Sequence, residues 1–307
     1  MDELDEILWV FAKTVEPTQA QKADAQRSHN YLRDLLRTGK MEERILGCYL
    51  SGSYSRHTAI TPLDDVDIIV LIDHTKWKIG FFSAFPSPLD VLQTFERAIR
   101  YRYPNSAMRA QRRSIGLKLQ KMDLDVVPAI PEAPESERIW IPDADQEKWL
   151  VSAPKIHKEA ATRVNRARGE LFIPLVKLLK YWNSRLPSTT QLRSFAIETL
   201  AVRIFQKVRF ESLFDGALLF FDFIASFNKQ DVWRTWNNHF EVSLGSWGTP
   251  CVPDIAQTGS NLVGGMTQEE RIKFIRQAVR SRDLLLKAPK ARTYDKAEEY
   301  LASALNF

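Results

Sequence analysis

An α+β fold is predicted: a small mixed sheet with helices in the first half and an all-helical lobe in the second. Three observations predict it. Apolar, strand-like runs (ILGCYL at 45–50, IIVLI at 68–72, VVPAI at 126–130) occur early in the chain. Later segments carry their apolar residues at helical spacing. Between the two patterns lies a proline-punctuated stretch, PEAPESERIWIPD, with one short apolar strand, RIWIP. The expected division is residues 1–150 as the core and 151–307 as the helical lobe, with the functional site in the cleft between them.

Composition bounds the function classes. The 307 residues are 44% hydrophobic and 26% charged, which gives a sizeable core and argues against disorder. No apolar run reaches membrane-spanning length, and the acidic start MDELDE does not read as a signal peptide. Only Cys48 and Cys251 are present, so a disulfide framework and a cysteine zinc cluster are excluded. A reducing cytoplasm is the expected compartment. The net charge of +5 and pI near 9.1 suit a polyphosphate substrate or weak nucleic-acid contact equally well.

In chain order, residues 2–16 place Leu4, Ile7, Leu8, Phe11 and Val15 at helical spacing behind an acidic first turn. Pro17 opens a second helix that ends near Thr38-Gly39, where Gly39 suits a left-handed cap. Strands follow at 43–50 and 65–72, then a helix from Pro88 to Tyr103. Next comes a hairpin of 112–119 with 122–130, turning near Gln120-Lys121. Pro128 predicts that the second hairpin strand reaches a sheet edge or ends there.

In the second half, KIHKEAATRVNRARG carries Lys155, Lys158, Arg163, Arg166 and Arg168. Such a run reads as a solvated helix face or, alternatively, as a phosphate contact. The helix ELFIPLVKLLKYWNSRLP has an apolar face interrupted by Lys177 and Lys180, either of which could meet a triphosphate as a point charge. RSFAIETL opens another helix whose start presents a hydroxyl and amides. The Phe/Leu stripe at 211–227 reads as core, 244–265 as a long loop, and 267–287 and 294–305 as closing helices.

The chemistry gathers in GSYSRHTAITPLDDVDIIV at 52–70 and MDLDVVPAI at 122–130. A strand's period of two puts Asp65 and Asp67 on one face, and likewise Asp123 and Asp125. Carboxylates opening a buried strand are costly unless a cation offsets them. Mg²⁺, which takes carboxylate oxygens plus substrate phosphates, is the natural candidate. A third carboxylate from Asp123 or Asp125 would complete a two-metal site for phosphoryl or nucleotidyl transfer. Gly52 allows close approach and, with Ser53, offers amides for an anion nest. Taken singly, Gly-Ser is a turn and Asp-x-Asp a solvated strand end; His57 and Asp64 read as bystanders.

These stretches, with LVKLLKYWNSRLP, RSFAIETL and CVPDIAQTGSNLVGG, resemble the bacterial CD-NTases. These are relatives of cyclic GMP-AMP synthase and oligoadenylate synthase in the polymerase-beta-like nucleotidyltransferase superfamily. The resemblance implies that Asp65, Asp67 and Asp125 are catalytic and hold two Mg²⁺, with Mn²⁺ able to substitute. It chooses Asp125 because the family's acid directly precedes Val-x-Pro. It also implies that Gly52, Ser53, Lys180 and Ser194 meet the donor triphosphate and that Phe195 stacks on a base. The implied activity is synthesis of a cyclic di- or oligonucleotide from NTPs, ATP among them, for anti-phage (CBASS) signalling through a downstream effector. A regulatory protein partner is also implied, and neither membrane association nor stable specific DNA binding is expected. The alternatives are a CCA-adding type of RNA nucleotidyltransferase and a catalytically silent nucleotide- or RNA-binding member. The late stretch departs from the family in lacking a proline after Asp254 and in having Ser260 where asparagine is frequent, and the zinc insertion of cyclic GMP-AMP synthase is absent.

Overall fold

The computed structural model describes residues 3–37, 41–63, 65–81, 83–119, 122–226 and 252–307. The expected Gly39 cap, Asp64, the Gln120-Lys121 turn and the 244–251 part of the long loop lie outside the described residues. The chain divides into two compact units, residues 17–158 and residues 1–16 with 159–307. Among the described residues no helix is long and apolar enough to cross a membrane.

The first unit is built on a seven-stranded mixed sheet. Strands β1 (Ile45–Leu50), β2 (Asp65–Ile72), β3 (Ala107–Ala110), β4 (Ile115–Lys118) and β5 (Asp123–Pro131) stand in the order β1-β2-β5-β4-β3. Strands β6 (Ile139–Asp143) and β7 (Lys148–Ser152) extend it from the end of β5. Among the described residues only the β2–β5 pair is parallel. Alternation then sorts the side chains. Val66, Ile68, Val70 and Ile72 of β2 join Leu124, Val126 and Ile130 of β5 in the core. Helices α2 (Gln19–Arg37) and α4 (Pro88–Arg102) cover that face through Ala25, Leu32, Leu36, Val91, Leu92, Phe95 and Ile99. The start of α4 follows from sequence: the Ser87 hydroxyl accepts from the Asp90 amide, and Pro88 takes a first-turn position where no amide hydrogen is needed. The opposite sheet face carries the odd-numbered residues, a small cluster of Ile69, Ala129 and Ile139 and, at one end, the acids.

Of the two outcomes expected at Pro128, an edge or an end, the structure shows a local edge, and the 112–119 arm is corrected. Strand β5 does not end at Pro128; it stays paired with β2 through Ala129 and continues to Pro131. Pairing with β4 stops at Val126 and pairing with β6 begins at Ile130, so Pro128 falls where one side of the strand is open and no ladder amide is required. The hairpin arm expected at 112–119 is shorter, and a further strand, β3, pairs with it.

The second unit packs α1 (Glu3–Thr14), α5 (Pro154–Ala167, from Glu159 on), α6 (Phe172–Ser184), α7 (Ser194–Phe205), α8 (Leu213–Ala225), α9 (Gln268–Leu285) and α10 (Tyr294–Leu305). Trp182 is fully buried against Phe221 and Phe274, and its indole N–H donates to Ser281 Oγ at 2.9 Å. Here the structure differs from the expected division at residue 150. Helix α1 groups with the helical unit, because Leu4, Ile7 and Leu8 are buried in its core. Asp5 also accepts the Phe214 amide at 3.1 Å, and Phe11 stacks on Phe307. Strand β7 and the first residues of α5 stay with the sheet.

Candidate active site

The parallel register of β2 with β5 sets Asp65 opposite Asp123 and Asp67 opposite Asp125, so all four carboxylates occupy one face and one end of the sheet. Just upstream, the chain leaves β1 into the single helical turn α3 (Gly52–Ser55). Two features hold this turn against β2. The Ser51 amide donates to the Asp67 carbonyl at 2.8 Å, and Gly52 has φ +65°. A Cβ on Gly52 would stand 1.7 Å from Asp67 Oδ2, so only glycine fits both the conformation and the approach. The Thr58 amide donates to the Ser53 carbonyl at 3.0 Å, which closes the loop behind it. His57 is exposed with φ 62°, and Arg56 and Thr58 are buried.

Electrostatics distinguishes the four acids. Burial pushes the Asp67 carboxyl up to about 6, and the neighbouring charges of Asp65 and Asp125 push in the same direction; Arg56 partly offsets them. Asp125 is also raised, first by burial, then by Asp65 and Asp123, against a hydrogen bond from Gln111. Asp123 contributes to the shift of Asp125 and not to that of Asp67. Like charge thus bears on Asp67 from Asp65 and Asp125, and on Asp125 from Asp65 and Asp123.

Sequence reasoning missed Gln111 and Gly116. Gln111 Nε2 donates to Asp125 Oδ1 at 3.1 Å. Gly116, opposite Asp125 in the β4–β5 register, leaves the space, since a Cβ there would meet Gln111 Nε2 at 2.6 Å and Asp125 Oδ1 at 3.3 Å. The Gln111 loop is anchored next door: Arg112 and Arg113 hydrogen-bond the buried Asp143 at 2.7 and 3.0 Å. A turn residue between two short strands gave no periodic signal for Gln111.

On the helical unit, Lys180 is buried in α6, and Ser194 and Phe195 open α7. Lys177, also buried, is ion-paired with Glu16 and thus has a structural partner. Asn183, unforeseen from sequence, fixes the approach to α7. Its amide group donates to the Leu192 carbonyl at 2.8 Å and accepts the Leu192 amide at 2.9 Å. Arg168 donates to the carbonyls of Phe205 and Val208, a latch rather than a phosphate contact; Lys155 lies 5.4 Å from the Tyr49 ring. The late stretch is likewise a braced turn: Asn261 Oδ1 accepts the Val252 and Val263 amides, and the Asp254 amide bonds to the Ser260 carbonyl.

Among the described residues no three His, Cys, Asp or Glu side chains close into a ready metal cage. Carboxylate oxygens of the kind gathered on this face are the ligands that hard divalent cations take. The repulsion among Asp65, Asp67 and Asp125 is the cost that such an ion would remove.

Residues 3–165 match the model of the Second Messenger Oligonucleotide or Dinucleotide Synthetase (SMODS) domain. A cyclic AMP-AMP-AMP synthase of Acinetobacter sp. is 34% identical over 200 residues, covering 62% of this chain and 55% of the relative. A cyclic AMP-AMP-GMP synthase of Enterobacter hormaechei is 29% identical over 165 residues, covering 51% of this chain and 40% of the relative. In these matches the chain spans about half the length of the curated relatives, or less. The fold matches that of E. coli MS115-1 CdnC, solved in complex with HORMA-deltaN, with a TM-score of 0.77 over 98% of this chain and 96% of that one at 18% identity. The sheet, its acid face and a family match over more than half of the residues agree: the chain belongs to the SMODS family, among the bacterial CD-NTases that its motifs resemble.

Proposed function

We propose that this chain is a metal-dependent nucleotidyltransferase that makes a cyclic di- or oligonucleotide from NTPs, ATP among them, and releases pyrophosphate. The observation that carries the reading is the β2–β5 register, which sets Asp65, Asp67 and Asp125 on one sheet face beside the Gly52 turn. In the reaction an acceptor hydroxyl attacks the donor α-phosphorus, a phosphodiester bond forms, and the bond to the pyrophosphate oxygen breaks. Asp65, Asp67 and Asp125 would hold two Mg²⁺, or Mn²⁺ in their place, which would lower the acceptor hydroxyl's pKa and offset charge on the donor phosphates and departing pyrophosphate. Asp125, placed near the acceptor by resemblance, would accept its proton. Ser53 and the amides of the Gly52 turn receive donor phosphate oxygens. Lys180 and Ser194 are proposed as further phosphate contacts and Phe195 as a base-stacking ring, each by resemblance.

The cyclic product would act through a downstream effector in anti-phage signalling within the cytoplasm. The synthase names of the Acinetobacter and Enterobacter relatives support the product class. A regulatory protein partner is proposed in the light of the CdnC complex with HORMA-deltaN.

The test is incubation of purified protein with each labelled NTP and Mg²⁺ or Mn²⁺, followed by phosphatase. Short phosphatase-resistant products are expected from the wild type. In Asp65→Ala/Asp67→Ala they should fall by roughly a thousandfold or more, the scale of losing a main transition-state electrostatic contact. Linear tails on added RNA, or full activity in the double variant, would overturn the reading.

A further inference from the structure

Helices α9 and α10 are joined by a short turn in which the basic residues crowd. Lys287, Lys290, Arg292 and Lys296 line one recess of about 410 Å³, together with Ala291, Thr293 and Tyr300. The walls are fixed from beneath: Leu285, Leu301 and Leu305 are fully buried and Ala288 nearly so. The helical turn Ala288–Lys290 and the Thr293 cap of α10 leave little slack between them. The charged heads, by contrast, are exposed. Lys296 is paired with Glu299 at 2.7 Å and lies 5.2 Å from the Tyr300 ring. Lys287, Lys290 and Arg292 make no ion pair among the described residues; between 287 and 296 the one acid is Asp295.

Four cations line one hollow, and an anion seated there would meet attraction from each of them. Thr293 adds a directional donor: its oxygen accepts the Lys296 amide at 3.3 Å, which leaves its own hydrogen available. The volume lies within the usual range for small-molecule sites, roughly 300–1,000 Å³. Lysines act as point charges and arginine as a planar fork, a mixture suited to several phosphates on one ligand.

We propose that this recess binds a multiply phosphorylated small molecule of the nucleoside triphosphate class, at a site separate from the acid face. Its chemistry is that of clustered phosphates on Lys287, Lys290, Arg292 and Thr293, and it requires neither the aspartates nor a divalent ion. The inference does not depend on the proposed catalytic reading.

The test is equilibrium dialysis of labelled ATP against the full chain in chelator, comparing wild type, Asp65→Ala/Asp67→Ala and Lys290→Glu/Arg292→Glu. Metal-independent binding should persist in the aspartate variant and weaken by roughly tenfold or more in the charge-reversed one, with inorganic tripolyphosphate displacing ATP and adenosine failing to. Both reversed residues are exposed, so the thermal midpoint should remain near that of the wild type. Equal ATP binding by wild type and the charge-reversed variant would overturn the site. Displacement of ATP by a short DNA duplex at lower phosphate concentration than by tripolyphosphate would overturn the small-ligand assignment.

Discussion

Two aspartates of the sheet unit, Asp143 and Asp67, have opposite surroundings. Asp143, with no exposed side-chain surface, receives Arg112 and Arg113 on its two oxygens and the Gln146 amide besides. Against its desolvation, those hydrogen bonds hold its carboxyl below the ordinary range. Asp67 is pressed against Gly52 and faces the charges of Asp65 and Asp125, and its carboxyl rises to about 6. The fold supplies cations where a carboxylate serves as a brace. On the acid face it stacks like charges instead, with Arg56 as the partial offset. On the proposed function, that contrast separates a bracing acid from one whose repulsion an incoming cation would relieve.

The most severe way to break the contrast is Gly52→Ala. A methyl group there collides with the Asp67 carboxylate, and the residue must also hold a positive φ. Steady-state kinetics should show turnover lower by roughly a hundredfold or more, while the left-handed backbone adds about 1–2 kcal/mol of destabilisation. Wild-type turnover in this variant would remove the turn from the site.

Next come the two acids themselves, which should respond to amidation with opposite signs. Asp143→Asn should lower stability by about 1–3 kcal/mol in chemical denaturation, a figure reduced because both arginines are substantially exposed. Asp67→Asn should leave metal-free stability unchanged or raise it, since it removes a repelled charge. Their pH dependences should oppose each other too. Asp67's folded pKa lies above the ordinary 3.8, so its ionisation destabilises the metal-free fold. That cost is full above about 6 and fades as pH falls toward 4. Asp143's folded pKa lies below 3.8, so its contribution is present above that value and is lost on further acidification. Denaturation midpoints of wild type and both variants, from about pH 2 to pH 8, check the pair; equal slopes for the two variants would erase the distinction.

The smallest expected effect is at Gln111, which orients Asp125 without belonging to the acid set. Gln111→Ala should reduce kcat by roughly tenfold with KM for NTPs little changed, and Gln111→Asn should restore part of it. A change confined to KM would show that Gln111 serves substrate binding instead.

How legible this was in the sequence depended on the range of the interactions. Asp65 and Asp67 run straight into Ile68–Ile72, and Asp125 into Val126-Val127, so acid and strand could be read together. The glycine-serine turn was legible for the same local reason. Strand β3 was not, because AMRA offers four mostly exposed residues and no apolar alternation, and its pairing with Ile115–Lys118 is the only thing that marks it. The grouping of α1 depends on contacts such as Asp5 with Phe214, 209 residues apart, which no local pattern reveals. The ion pair of Lys177 with Glu16, far upstream, was likewise hidden from any local pattern. Gln111 was invisible because its meaning comes entirely from Asp125, 14 residues away across a hairpin.

Calorimetric titration decides whether the repelling carboxylates of β2 and β5 take divalent metal. Mg²⁺ or Mn²⁺ is titrated into wild type, Asp67→Asn and Asp143→Asn, each with a non-hydrolysable NTP bound, at pH 7.5 and at pH 5. Wild-type binding is expected at the higher pH and should weaken as pH drops through about 6, where protons compete for Asp67. The loss in Asp67→Asn should exceed the roughly 10- to 100-fold cost of removing an outer partner, with near-normal binding in Asp143→Asn. Metal affinity that is the same in wild type and Asp67→Asn, at both pH values, would contradict it.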